Sequence, residues 1–222
     1  MNTKPTEPQS LVMLGAGGHA KVLLSLAISS GLQVQGVCDP ELKRSGASTW
    51  RGIKVLGGDE VLELLDCTDV GLINGIGQVV GSSLRQSIYE RAVGMGFRFP
   101  VLVHPSASVD ASAQLAEGVQ VMAGAVIQAD ASLGVNTIVN TSASVDHDCS
   151  VAAHVHIAPG VTLCGSVQVA TGAFIGAGAT VIQGLVIGEH AVVGAGAVMV
   201  RDLPARGILL GQTARCRTLS DE

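Results

Sequence analysis

The first residue that points to chemistry is His147, in the run Val145-Asp146-His147-Asp148-Cys149, where two carboxylates flank an imidazole in an otherwise charge-poor region. A carboxylate bonded to one ring nitrogen fixes the tautomer and raises the basicity of the other, which suits a general base working near neutral pH. A surface histidine paired with a carboxylate is the alternative. The second is the run Gly15-Ala16-Gly17-Gly18-His19-Ala20, which follows the apolar segment LVML and leads into an apolar-striped segment ending near Gly31. Backbone N–H groups in such a loop, at the head of a helix, can hold a diphosphate. It matches only part of the dinucleotide fingerprint, and a tight strand-to-helix turn without a ligand is the other reading.

Other candidates weigh less. His154 and His156 alternate along what reads as a strand and should face opposite ways, and His156 could line the same groove as His147. His154 and His190 are 36 residues apart in sequence, a spacing that resembles the metal histidines of the β-helical carbonic anhydrases. Two coils separate such a pair by roughly 10 Å, too far for one zinc with bonds of about 2.0–2.1 Å unless neighbouring subunits contribute, and with no further suitably spaced histidine apparent, no metal is expected. Cys149 falls at an inward core position, and no serine or cysteine sits beside a base as an acyl-accepting nucleophile.

The elements that position these residues are legible from a period. From Val103 to Met199 every sixth residue is aliphatic, a small or aliphatic residue follows four places later, and glycine recurs three places later at 118, 124, 160, 172, 178, 184 and 196. A hexapeptide period is that of a parallel β-helix, in which three units close one triangular coil and aliphatic side chains stack inward. The composition agrees: 47% hydrophobic residues, 29 glycines, but only 2% aromatics, as a narrow aliphatic interior requires. Residues 18 apart become vertical neighbours, so Gly165 lies one coil above His147. An amide without a side chain at that point leaves room for a reacting carbonyl and offers a donor to its oxygen.

Residues 11–100 lack this period and read as a small βαβαβ unit: a strand before Gly15, a helix to Gly31, the strand QVQGVCD ending at Asp39, the helical stretch DEVLELL, the strand GLINGIG from Gly71, and a helix to about Ala92. Ligands bind at the carboxyl ends of such strands, so Gly15 to His19, Asp39 and Asn74 to Gly77 should surround one crevice. The expected divisions are a disordered terminus (1–10), a Rossmann-like α/β domain (11–100), a parallel β-helix (101–205) and a tail (206–222).

A net charge of −5 without a basic cluster gives no footprint for nucleic acid. The glycines, Ser, Thr and His between Cys149 and Gly188 argue against membrane insertion. The polar N-terminus and five cysteines without a CxxC pair suit a reduced, cytoplasmic protein.

With LGAGGHAKV, VCDPE, the block NTSASVDHDCSVAAHVHIAPG and GAGAVMVRDLPARGILLG in that order, the chain from about 11 to 217 resembles the bacterial sugar O-acyltransferases of the sialic acid O-acetyltransferase type. Within them it is most similar to the N-acetyltransferases of nucleotide-linked 4-amino-4,6-dideoxysugars, of the bacillosamine and perosamine kind. The resemblance implies a left-handed β-helix, a homotrimer, and acetyl-CoA in the groove between adjacent β-helices. It implies that His147 takes the proton of the attacking amine, that Asp148 orients it, that His156 and the Gly165 amide meet acetyl-CoA, and that Gly176, Ala177 and Gly194 meet the pantetheine arm. The nucleotide-sugar would contact Gly17, Gly18 and His19 near diphosphate and sugar, Asp39 near the base or ribose, and Gly77. O-acetylation of a sugar hydroxyl and a non-catalytic solenoid are the competing functions. Two departures stand out: Cys38-Asp39-Pro40 where relatives often carry two acidic residues, and Gly211-Gln212-Thr213-Ala214 in place of a terminal G-x-P-A, with Arg215 beside it.

Overall fold

A computed structural model describes residues 10–211. The first unit is a five-stranded sheet built from β1 (Ser10–Leu14), β2 (Val34–Cys38), β3 (Thr49–Trp50), β4 (Ile53–Gly57) and β5 (Val70–Asn74), in the order β3-β4-β2-β1-β5. Pairing is parallel except between β3 and β4. Helix α1 (Gly18–Ser29) follows β1, α2 (Pro40–Ser45) follows β2, and α3 (Leu84–Gly94) follows β5. DEVLELL forms a 3-10 helix over Asp59–Leu64. The β3–β4 hairpin and α2 add to the sequence reading; α2 starts where Asp39 caps its first turn and Pro40 presets φ.

The second unit is a left-handed parallel β-helix of two-residue strands. Its first wall runs from Leu102–Val103 through Gln120–Val121, Ile138–Val139, His156–Ile157, Phe174–Ile175 and Val192–Val193 to Ile208–Leu209. The second wall contains Ser108–Val109, Val126–Ile127, Ser144–Val145, Thr162–Leu163, Thr180–Val181 and Val198–Met199; the third runs from Gln114–Leu115 to Val186–Ile187. Strands pair with those 18 residues on, for example Val145 with Leu163. The last coil is shorter, since Val192 pairs with Ile208 and Leu203 forms a bridge to Ile187. The coil therefore continues beyond 205, into the residues expected to be tail.

The corners explain the glycines. All seven glycines three places after an inward aliphatic take positive φ, between 66° and 73°, the left-handed region that Cβ disfavours. Asp148, His154 and His190 occupy the same corner position with φ of 58°, 59° and 53°. Val121, Val139, Ile157, Ile175 and Val193 fill the interior with no exposure. Aromatic residues stay outside it: Trp50, Tyr89, Phe97 and Phe99 pack in the first unit, and Phe174 lies on the outer face of the first wall.

The two units join along the first wall, where Leu102, Met122 and Ile138 pack into one core with Met13, Leu23 and Ile73. This docking brings the open end of the α/β sheet beside the β-helix. Among the described residues, no helix is long and apolar enough to cross a membrane.

Candidate active site

His147 occupies the corner between the second and third walls. Asp146 Oδ1 accepts from the His147 backbone N–H at 2.8 Å, while Asp148 Oδ2 lies 2.7 Å from His147 Nδ1. The two carboxylates thus divide the work: Asp146 holds the backbone and Asp148 the ring. The hydrogen bond that the ring donates to Asp148 raises the His147 pKa, opposed by desolvation and aided, to a smaller extent, by the two negative charges. With Nδ1–H donated to Asp148, Nε2 keeps its lone pair. A Cβ placed on Gly165 would fall 2.6 Å from both Nε2 and Cε1 of the ring, so only glycine leaves this imidazole in place. The arrangement presents an exposed, carboxylate-oriented base beside a bare backbone amide.

The remaining cofactor candidates lie elsewhere on the prism. Gly176, Ala177 and Gly194 stack at the corner between the first and second walls, where Gly196 N–H donates to the Ala177 carbonyl and a Cβ on Gly176 would meet Ala195 N at 2.6 Å. They border the second wall on the side away from His147. His156 belongs to the first wall, which lies opposite the corner of His147 in a triangular coil. It is 7% exposed and stacks on Phe174 with ring centroids 4.8 Å apart. One chain therefore does not bring His156 and His147 into one groove. His154 also departs from expectation. Its left-handed turn rotates it out of the strand, so it does not alternate with His156; both are buried beside the first unit, His154 against Asn136 and the edge of Tyr89. Among the described residues no group of three or more potential ligands could hold a metal. Gln212, Thr213, Ala214 and Arg215 lie outside the described residues.

The α/β unit carries a cleft of about 350 Å³ at the carboxyl ends of β1, β2 and β5, lined among others by Gly15, Gly17, His19, Asp39, Ile76 and Gly77. Gly17 is the N-cap of α1 with no side-chain cap, and neither it nor Gly18 has any atom within 4 Å of where a Cβ would sit. An uncapped helix start at the edge of this cleft suits an anion. Asp39 is occupied structurally: Oδ2 accepts from Ala16 N–H, and Oδ1 accepts from Glu41 and Leu42 N–H, each at 2.9 Å. Its carboxylate ties the glycine loop to α2. Gly77 packs against His19, where a Cβ would lie 3.3 Å from that of His19.

Known proteins share this fold. The family model of the PglD N-terminal domain matches residues 10–92. A structure of a variant perosamine N-acetyltransferase from Caulobacter crescentus, in complex with CoA and GDP-perosamine, is 39% identical with a TM-score of 0.83, over 91% of this chain and 93% of that one. The chain belongs to the nucleotide-aminosugar N-acetyltransferase family. The acetyltransferase domain of PglB from Neisseria gonorrhoeae, in complex with acetyl coenzyme A, is another such relative at 36% identity and a TM-score of 0.85, over 92% and 97% of the two chains. WeeI from Acinetobacter baumannii, at 22% identity, shares the fold with a TM-score of 0.81 over 92% and 98%. No curated protein sequence matches the chain significantly.

As a nucleotide-aminosugar N-acetyltransferase by family, the chain is an acyltransferase, and its cleft and β-helix meet through a polar junction that the sequence reading did not assemble. His19 Nε2 lies 2.8 Å from Gln120 Oε1; Gln120 Nε2 donates to the Asn74 carbonyl at 3.0 Å; Asn74 Nδ2 donates to Asn136 Oδ1 at 3.1 Å; Asn136 lies 3.0 Å from His154 Nδ1. Arg85, 2% exposed, donates through Nη1 to the carbonyls of Asn74 at 2.9 Å and Ile76 at 2.6 Å. Burial lowers the pKa of both His19 and His156 to about 4; Arg85 adds to the effect at His19, and His19 followed by Arg85 adds to it at His156. The 18-residue rule, applied to outward positions, places Gln120 two coils from His156 on the same wall. Nothing local in Arg85's own segment marks it.

Proposed function

We propose that the chain transfers an acetyl group from acetyl-CoA to the 4-amino group of a nucleotide-linked 4-amino-4,6-dideoxysugar, with His147 as general base. The observation that carries this reading is the His147 ring, clamped by Asp148 through Nδ1 and open at Nε2 against Gly165. The complexes of the Caulobacter enzyme with CoA and GDP-perosamine, and of the Neisseria domain with acetyl coenzyme A, support the two substrates. In this reaction the amine nitrogen attacks the thioester carbon, a C–N bond forms and the C–S bond breaks. The amine proton passes to His147 Nε2 and on to the departing sulfur. Asp148 holds the imidazolium, and the Gly165 amide meets the thioester oxygen. Direct transfer suits a site without a nucleophile placed to take the acetyl group.

The cleft beside α1 would take the nucleotide-sugar, with Gly17, Gly18 and the helix N-terminus on the diphosphate and His19 and Gly77 flanking the sugar. Asp39 would shape this pocket through the loop it ties down. The functional unit would be a homotrimer. His147 and the set Gly176, Ala177 and Gly194 occupy different corners of one chain, so a groove between neighbouring β-helices would gather them around acetyl-CoA, and His156 could join His147 only from a neighbouring subunit. Val198, Val200, Ile208 and Leu210, each more than 60% exposed on the late coils, would be covered by such neighbours.

The test is a panel of UDP-, GDP- and dTDP-linked 4-aminosugars with acetyl-CoA, following CoA release and product mass. An amide product that resists hydroxylamine is expected. A hydroxylamine-labile ester would establish O-acetylation instead, and equal turnover of free monosaccharides would overturn the role given to the cleft.

A further inference from the structure

His19 lines the cleft, yet its ring is governed from outside it. Gln120 Nε2 donates to the Asn74 carbonyl, which fixes the amide so that Oε1 faces His19. An amide oxygen only accepts. His19 Nε2 must therefore carry the proton, and Nδ1 holds the free lone pair. Asn74 is itself held from both sides, its carbonyl by Arg85 and its side-chain amide by Asn136, so the orientation of Gln120 does not rest on one bond.

Arg85 supplies the second constraint. It sits at the start of α3 with its guanidinium buried, bonded to the carbonyls of Asn74, Ile76 and, at 3.5 Å, Asn136. No carboxylate pairs with it among the described residues, and its Nε has no partner there. Burial lowers its pKa to about 9, which leaves it a cation at neutral pH. An uncompensated buried cation disfavours a second positive charge nearby. The groups that face His19 are Arg85 from α3 and Gln120 and His156 from the first wall. Asp39 and Asp59 line the same cleft, but Asp39 is held by backbone amides.

We propose that Gln120 and Arg85 are positioning residues for His19, which therefore meets its ligand as a neutral acceptor, through Nδ1, for a hydroxyl of the nucleotide-linked sugar and not as a cation for its phosphates. This rests on the cleft being the nucleotide-sugar site. The anionic diphosphate is then left to the amides at the head of α1, and His19 selects on the neutral part of the ligand. Loss of its acceptor leaves a donor of the ligand unpaired, a loss far larger than that of an apolar contact.

Two measurements separate the parts. Long-range ¹H–¹⁵N correlation spectra of the full-length, histidine-labelled protein, with His19 assigned by its absence in His19→Asn, should show a neutral ring protonated at Nε2 down to about pH 5. A proton on Nδ1, or a charged ring at neutral pH, overturns the proposal whatever the ligand. Gln120→Glu should raise the His19 titration and bring a pH dependence into KM for the nucleotide-linked aminosugar; Arg85→Met should raise the titration too. An unmoved His19 in a folded Gln120→Glu protein counts against the mechanism. With the nucleotide-linked aminosugar as probe, His19→Asn, which restores an acceptor, should raise KM about threefold, and His19→Lys more than tenfold. The opposite order means a phosphate contact and overturns the ligand assignment. If no nucleotide-linked sugar is turned over, the function proposed above falls, while the spectrum still decides the tautomer.

Discussion

Gly165→Ala isolates the contact on which the active-site reading depends. Gly165 is outside the positive-φ residues, so alanine brings no backbone strain, only a methyl group 2.6 Å from Nε2 and Cε1 of His147. Ordinary contacts begin near 3.4 Å, so the ring must retreat by about 1 Å, and a displacement of that size costs on the order of 10²-fold in rate, or about 2.7 kcal/mol of transition-state stabilisation. The His147 side chain is 60% exposed and packs in no core, so the fold should barely respond. The expected result is a hundredfold-range fall in kcat, of order 10², with a melting temperature close to that of the parent protein. Steady-state kinetics with acetyl-CoA, paired with thermal unfolding, gives both numbers. A kcat within about threefold of the parent, in a folded protein, would refute the idea that the ring must stand where it does.

Two other outcomes follow from the titrating groups. Asp148→Asn removes the main cause of the raised His147 pKa, so the acid limb of the kcat/KM profile should move to lower pH while the maximal rate falls, because the amide no longer selects the Nδ1–H tautomer; an unmoved limb contradicts the pairing. His156 is nearly fully buried, with its folded pKa depressed to about 4 from 6.5, so the unfolded chain binds its proton first and stability is lost as pH falls from 6.5 towards 4. The full effect is about 3 kcal/mol. Unfolding measured across that window should show it, and because His19 is depressed to about the same value, His156→Gln should remove only the share that His156 contributes and leave that of His19.

The β-helix was readable because each hexapeptide restates one requirement. Val103 to Met199 mark the inward face, and the glycines at 118 to 196 mark turns with positive φ. The same rule placed Gly165 beside His147. It did not extend to the left-handed corners occupied by Asp148, His154 and His190, since nothing but their spacing marks them as turn residues. In the α/β unit β1, β2 and β5 were apparent as apolar runs, whereas β3 has two residues and α2 six, too short for a period. The polar junction was hidden for another reason. His19 and Gln120 are 101 residues apart, and their meeting depends on how the sheet docks on the first wall, which no local pattern encodes.

The most direct test of the account is the turnover of His147→Ala with acetyl-CoA and its nucleotide-linked aminosugar, alongside acetyl-CoA binding by calorimetry. The account predicts a kcat lower by about 10²–10⁴-fold, with acetyl-CoA affinity retained and the fold intact. Turnover within about threefold of the parent would contradict it, because the proton of the attacking amine would then leave by a route that does not involve His147.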